Sequence, residues 1–511
     1  MAFTSAAFVV FLAAAAAAYY LAPKKQRWLV LLVFSYVFYL SGGVGVLGYI
    51  LFTTLTSYFL GIQIGKAGKD AETKEEKKAA KKKKRLFAAA ALLLNFGLLY
   101  FVKYWNFTLD LIKIPGTVLR FNIVLPLGIS FYIFQSMGYI IDLVRGKYPP
   151  QKNLLKFALF ISFFPQLTQG PIGRYDALAP QLYRGNELSA DNFKEGAKLL
   201  FWGYLKKLVV ADRASVVACA VIDSYGDYHG SVILFGVVFY CIQLYCDFSG
   251  GIDIARGAAR LFGVDMAQNF RRPIFATSLA DFWRRWHITL GTWLKDYLFY
   301  PITLSKPFIN LGKFTRKHIK GKAGKILPTS MATFIVYFVI GIWHGASWKY
   351  ILFGFWNGTL ITAALLLEPC FVSAKSRLGI KDDKTWYRIM CMVRTTVIIV
   401  AGRYITRASG VGAAADMLWR TVSDFAPRSL FDGTLMSLGL GMADYLVIAA
   451  GAALIFVLEL GDELGVRITE KIEQKGNAAV FATVFAAVLF FVVFGIFRGD
   501  YIASEFIYKQ F

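Results

Sequence analysis

Residues 86–109 read LFAAAALLLNFGLLYFVKYWNFTL (Leu86–Leu109), and directly before them stands Lys81-Lys82-Lys83-Lys84-Arg85. A transmembrane helix needs about 20 mostly apolar residues, and this stretch supplies them behind a block of cations. Similar stretches recur at Ala6–Leu21, Val44–Ile64, Val124–Ile141, Val232–Phe248, Thr333–Trp348, Ile351–Leu367, Met390–Val400, Tyr445–Leu460 and Ala478–Phe497. Several fall short of a full span, which predicts about ten to twelve crossings with some helices tilted, broken or re-entrant. Composition agrees: 57% of the 511 residues are hydrophobic and 17% charged, against roughly 25% charged in soluble domains. The chain reads as an all-α integral membrane protein, multi-pass, because a soluble fold would have to hide every one of these stretches in one core.

The formal charge of +25 raises nucleic acid as a partner, but its distribution argues against that. Lysines and arginines gather in short segments between apolar stretches, the pattern that marks cytoplasmic loops. The densest cluster, Lys66 to Arg85, is therefore expected to be a cytoplasmic loop, with a patch for anionic lipid as the lesser alternative. Lys24-Lys25-Gln26-Arg27 falls on the same side, since two apolar segments separate the clusters, and Met1 is then outside. The first apolar segment lacks the basic start of a signal peptide and reads as a retained span. The five cysteines contain no CxxC pair and read as core filler.

The chain is expected to form one polytopic domain over residues 1–511, with three stretches of different character. Residues 1–145 are ordinary spans. From Pro149-Pro150 the apolar runs shorten and charges, Gly and Pro interrupt them, so residues 146–328 are where a reaction chamber is expected. Irregular backbone at membrane depth is tolerated only inside protein or beside a wet cavity. Within it, Ser305–Lys325 is strongly basic and predicts a second cytoplasmic loop. Residues 329–511 return to regular spans. No internal repeat is evident, which weakens a transporter built on inverted repeats.

Four histidines are present. His229, in the polar run after Asp223, and His318, among lysines and arginines, read as surface residues. His344 sits in Ile340-Gly341-Ile342-Trp343-His344-Gly345-Ala346-Ser347-Trp348, at the end of an apolar run. A histidine there is costly unless it faces protein or water, so function is the default reading. Burial favours the neutral imidazole that a general base requires; the plainer alternative is a histidine bonding between helices. His287 lies in Asp281-Phe282-Trp283-Arg284-Arg285-Trp286-His287-Ile288-Thr289-Leu290. At helical spacing Asp281 and Arg285 pair, and Trp283 and His287 stack. The plainer alternative for this segment is an interfacial amphipathic helix without chemistry.

Asp247 and Asp253 stand in apolar surroundings. Binding substrate is one reading; pairing with Arg256, Arg271 or Arg284 is favoured, because an unpaired buried carboxylate is expensive. Gly43-Val44-Gly45-Val46-Leu47-Gly48 fits GxGxxG but joins two spans instead of opening a βαβ unit. No GxSxG elbow, HExxH or zinc-type Cys/His spacing exists, so no metal site is expected.

The motifs, in this order, resemble the membrane-bound O-acyltransferase superfamily from about Leu125 to the C-terminus. They are Leu125-Pro126-Leu127-Gly128-Ile129-Ser130-Phe131, Pro165-Gln166-Leu167-Thr168-Gln169-Gly170-Pro171-Ile172, Gln243–Gly250, Asn269-Phe270-Arg271-Arg272-Pro273, Phe282–Asp296, Trp343-His344-Gly345 and Phe506–Phe511. The paired arginines and the Thr292-Trp293-Leu294 ending look more like the branch of the alginate O-acetylase membrane subunit than the branch of the teichoic acid D-alanyl transferases. Two positions depart from the pattern. Asn357 stands where the first branch often has a further histidine, and Arg407 stands in Thr406-Arg407-Ala408 where the family usually has Phe-Arg-Ala.

The resemblance implies catalysis by His344 with His287 as the second histidine. It implies a substrate channel shaped by Trp283, Trp286, Trp343, Asp247 and Asn269. Arg271, Arg272, Arg284, Arg285 and Lys295 are expected to meet the phosphates of a donor such as acetyl-CoA or another acyl thioester, with no cofactor held by the protein itself. Expected partners are membrane lipids, an exported polysaccharide or other cell-envelope acceptor, and an extracytoplasmic acyltransferase that completes the transfer. The expected location is the bacterial cytoplasmic membrane. Rival readings are D-alanyl transfer to teichoic acid, a lipid or glycan transporter without acyl chemistry, and a polytopic glycosyltransferase, for which Asp70 and Glu72 lie in the wrong kind of loop.

Overall fold

The computed structural model describes residues 1–69, 71–113, 120–121, 125–466 and 468–495. Asp70, Val124 and the Phe506–Phe511 motif lie outside them. The described residues are helical, with one isolated antiparallel bridge, Phe270 to Trp286. Among the described residues, seven helices are long and apolar enough to cross a membrane: Val44–Lys66, Lys74–Leu111, Gly230–Leu261, Lys322–His344, Trp348–Leu366, Thr385–Arg407 and Met442–Glu463. Two shorter apolar helices, Ala6–Leu21 and Ala478–Phe494, accompany them. Large apolar side chains such as Leu93 (76% exposed) and Phe481 (71%) face outward, which suits lipid tails and not water.

Two basic segments expected as loops are helical. Lys74–Leu111 is one helix of 38 residues, about 57 Å at 1.5 Å per residue. That exceeds a hydrocarbon core of about 30 Å, so its cationic first turns extend beyond the apolar part. It starts on a capping box, with Thr73 Oγ1 accepting from Glu76 N and the Glu76 carboxylate accepting from Thr73 N. Lysine and alanine are good helix formers, so the charge run never interrupts the helix. In Ser305–Lys325, residues Lys306–His318 form a helix with Pro in its first turn, where its missing N–H costs nothing. The cysteine expectation also needs correction. Cys246 and Cys391 are buried, whereas Cys219 and Cys370 are exposed.

The chain divides into two compact units, Met1–Trp202 with Gly251–Gln268, and Gly203–Gly250 with Asn269–Phe511. In the first, Phe8, Phe11, Phe38 and Phe164 form an aromatic core with ring centroids 5.2–6.5 Å apart. Two of its sequence motifs meet there. Gly128 has φ +68, and a Cβ on it would lie 1.7 Å from the Leu167 carbonyl oxygen, so only glycine fits between the two backbones.

The second unit holds both candidate histidines. Its central feature is a hairpin of Lys322–His344 and Trp348–Leu366. Gly341 and Gly354 let the two backbones touch: a Cβ on Gly341 would meet Tyr350 O at 2.5 Å and Gly354 Cα at 2.8 Å. Small residues at such crossings allow close helix packing within membranes. The contact fixes His344, the last residue of one helix, against Tyr350 in the first turn of the other. Leu205–Ala211 and Lys295–Phe299 are π-helical, a geometry frequent near functional sites.

Candidate active site

His344 is half-buried and surrounded by rings: Trp343 at 5.1 Å between centroids, Phe353 at 5.9 Å and Tyr350 at 6.2 Å. It lines two cavities. The larger, ≈ 390 Å³, also takes Trp283, Arg284, Trp286, His287, Lys295 and Tyr337 into its wall. The smaller, ≈ 30 Å³, is bounded by Tyr240, Trp283, Trp286, Tyr350, Arg403 and Thr406 among others. His344, Trp283 and Trp286 are common to both.

His287 is held differently. The helix Leu279–Arg285 ends before it, and the next, Ile288–Leu294, starts after it. The expected i,i+4 register therefore stops short of His287, which has φ +48 and ψ +52. Left-handed backbone at a residue with a Cβ costs about 1–2 kcal/mol, and three connections impose it. Phe270 bridges Trp286, Arg271 N donates to Arg285 O at 2.9 Å, and Ile288 N donates to Asn269 O at 3.0 Å. The ring packs edge-on to Phe248 at 5.0 Å and faces Trp343 at 6.0 Å. Trp343 thus packs against both histidines.

Asn269, fully buried, organises the turn. Its Oδ1 accepts from Thr289 N and Thr289 Oγ1, both at 2.9 Å, and from His287 Nδ1 at 3.3 Å. With the proton on Nδ1, the lone pair of the neutral ring is on Nε2. His287 lies outside the membrane-spanning helices, and its burial pushes the imidazole pKa down to about 3. The ring is neutral at any physiological pH.

The paired arginines have divided duties. The Arg285 guanidinium donates to Asp281 at 3.1 Å, as the i,i+4 spacing predicts, and to both oxygens of Glu463 at 3.0 Å. Arg272 donates to the same Glu463 at 2.9 Å. Glu463, at the end of the Met442–Glu463 helix, therefore clamps the chain at two points, Arg272 and Arg285, that lead into the His287 turn. Arg284 pairs with Asp281 at 3.2 Å but is 67% exposed, and it lines the larger cavity together with Lys295. Arg271 is exposed. Of the five basic residues expected to meet a donor, Arg284 and Lys295 border the histidine cavity, while Arg272 and Arg285 are committed to Glu463.

Asp247 is buried in an ion pair, its Oδ1 2.5 Å from Lys207 Nζ, which also meets Asp212 at 2.8 Å. The favoured pairing reading holds in kind, with Lys207 as the cation. Asp253 has Arg256 at 3.9 Å. Asn357 is buried and accepts from Trp283 Nε1 at 3.1 Å, so it holds a wall of the cavity. His229 pairs with Asp424 at 3.0 Å and His318 donates to or accepts nothing at the site, its Nδ1 lying 2.9 Å from Phe314 O; both are on the surface, as read. Sequence reasoning passed over Lys207, Arg403 and Glu463. The signal was present, since an ionisable residue inside an apolar helix is a functional candidate by default, and Arg403 lies in Thr385–Arg407.

Residues 31–392 match the model of MBOAT, the membrane-bound O-acyltransferase family. The chain is 32% identical over 424 residues to a "Probable alginate O-acetylase AlgI" of Pseudomonas syringae pv. tomato, covering 82% of this chain and 74% of that protein. It is 30% identical to a peptidoglycan O-acetyltransferase of Helicobacter pylori, covering 66% of this chain and 64% of that one. With a teichoic acid D-alanyltransferase of Bacillus subtilis the identity is 26%, over 56% of this chain and 69% of that one. The extent of these matches, on a polytopic helical scaffold, decides for an enzyme over a transporter, and the chain belongs to the membrane-bound O-acyltransferase family.

Proposed function

We propose that this acyltransferase moves an acetyl group from a cytoplasmic activated donor to hydroxyls of an exported or cell-surface polysaccharide, directly or through an extracytoplasmic partner. The observation that carries the reading is the shared cavity of His344 and His287, with Trp343 packed against both rings. In this reading His344 takes the proton from the acceptor hydroxyl, whose oxygen then attacks the acyl carbonyl. Positioned base catalysis of this kind contributes about 10²–10⁴-fold. His287, neutral and immobile, orients the acyl group. Trp283, Trp286 and Trp343 keep water out, which matters because hydrolysis competes for any activated acyl group. Arg284 and Lys295, on the wall of the larger cavity, suit the phosphates of acetyl-CoA or a related thioester.

Acetyl is preferred over D-alanyl because the greater identity and coverage belong to proteins named as O-acetylases. A polymer outside the cell and a donor inside it suit a bacterial cytoplasmic membrane. The test is His344→Ala in cells producing the polymer, with ester-linked acetate released by mild alkali as the readout. Acetate should fall to the background of a deletion strain while the protein remains in the membrane. Unchanged acetate would sink the reading.

A further inference from the structure

Arg403 is 6% exposed, and among the described residues no carboxylate stands within ion-pairing distance of it. Its guanidinium lies over two ring faces instead, 5.6 Å from Trp286 and 5.7 Å from Phe353. Glu459, in the wall of an adjoining apolar cavity that Arg403 also borders, accepts from the Tyr245 hydroxyl. Arg407, one helical turn further on, is neutralised by Asp223 at 2.9 Å. A buried cation without a counter-charge is expensive, so a protein that keeps one has a use for its field. Arg403 faces the ≈ 30 Å³ cavity that His344 borders. A space of that size holds a group of one or two water-sized atoms, a carbonyl and not a sugar ring.

We infer that Arg403 is a catalytic residue, the group that takes up the negative charge on the acyl carbonyl oxygen; this rests on the reading of His344 as the base. The step balances as follows. His344 removes the hydroxyl proton, a C–O bond forms between acceptor and acyl carbon, and the carbonyl π pair moves onto the oxygen facing Arg403. The tetrahedral species then collapses, the C–S bond to the donor breaks, and the departing thiolate receives the proton from the His344 imidazolium. A cation aimed at a developing oxyanion in a dry site acts on the transition state more than on the ground state. The two rings fix the plane of the guanidinium, which lysine cannot reproduce.

The experiment uses inside-out membrane vesicles from cells making the polymer, with radiolabelled acetyl-CoA as the donor probe and alkali-labile label in polymer as the product. Arg403→Met preserves packing over Trp286 and Phe353 without the charge. It should lower kcat by about 10²–10³-fold, the usual loss of one oxyanion donor, with KM for acetyl-CoA held within about threefold. Arg403→Lys should recover part of the rate. Arg403→Ala should gain rate when millimolar guanidinium is added, a response that tells charge from packing and serves if the Met variant fails to accumulate. Full activity in Arg403→Met beside an inactive His344→Ala would overturn the role of Arg403 alone. A rise in KM matching the whole loss would also overturn it, as ground-state binding. Full activity in both variants would remove the His344 reading beneath it.

Discussion

His344 and His287 border one cavity but are held by opposite means. His344 ends a 23-residue helix, is half-buried, and owes its place to a glycine crossing between Gly341 and Gly354. His287 sits in a left-handed turn, 3% exposed, tied by Asn269 through its neighbours and by Glu463 through Arg272 and Arg285 in the chain that precedes it. In the proposed reading, this difference matches a division of work. A proton carrier needs room and access on two sides, which His344 has in its two cavities. A group that orients the acyl carbon needs immobility, which His287 has.

The comparison breaks most easily at the histidines themselves. His344→Ala should lower kcat by about 10²–10⁴-fold with a smaller loss of thermal stability in detergent than His287→Ala, because His344 is half-buried where His287 is 3% exposed. His287→Ala should lower both activity and unfolding temperature. If the two variants have the same profile, the division of labour is wrong.

Glu463 offers the next largest effect. Removing it leaves Arg285 and Arg272, 13% and 27% exposed, with fewer charge partners. An unsatisfied charged group of this kind costs about 1–3 kcal/mol. Glu463→Ala should therefore reduce stability by that order and reduce kcat through the displaced His287 turn. Combined with Arg285→Ala it should do little further harm, since the partners act as one unit. Simple additivity in that double-mutant cycle would show that the clamp and the turn are independent.

The pH dependence sharpens the contrast without any large loss of structure. A pKa depressed to about 3 means that His287 gains a proton only below that value. Any acidic limb in the kcat profile between pH 5 and 8 therefore belongs to a group other than His287. His287→Asn, which tolerates left-handed backbone, should lower the rate yet leave the position of that limb where it was. A limb that moves in this variant would make His287 the titrating base.

Much of this arrangement was legible in the sequence, for unequal reasons. The helical membrane class followed from apolar runs such as Leu86–Leu109, because span length is a local property. The Asp281–Arg285 pair followed from spacing within one turn of helix. What spacing missed is what the chain joins at long range. His287 leaves the helix because residues 269–271 pair with residues 285–288, and no local pattern announces that. Arg272 and Arg285 were assigned to a donor because arginines beside a candidate site invite it; their actual partner, Glu463, lies 178 residues beyond Arg285. The lysine run at Lys74–Arg85 misled in the other direction. A charge run reads as a loop, whereas lysine is a sound helix former and Thr73 caps the start.

The smallest expected effect concerns Asn357, and it asks how far the rigidity around His287 extends toward His344. Asn357 Oδ1 accepts from Trp283 Nε1 at 3.1 Å, and its amide donates to Phe353 O at 2.9 Å. Trp283 borders both cavities, so this bond fixes a wall common to them. Asn357→Leu keeps the volume and removes the acceptor, which strands a half-buried indole N–H at a cost of about 1 kcal/mol. The catalytic groups stay in place, so kcat should fall only a fewfold, while leakage of donor to hydrolysis rises because the wall no longer excludes water as well. The measurement is the ratio of free acetate to polymer-bound acetate made from labelled acetyl-CoA. An unchanged ratio with lowered stability would make Trp283 a packing residue, and the dry wall would then rest on Trp286 and Trp343.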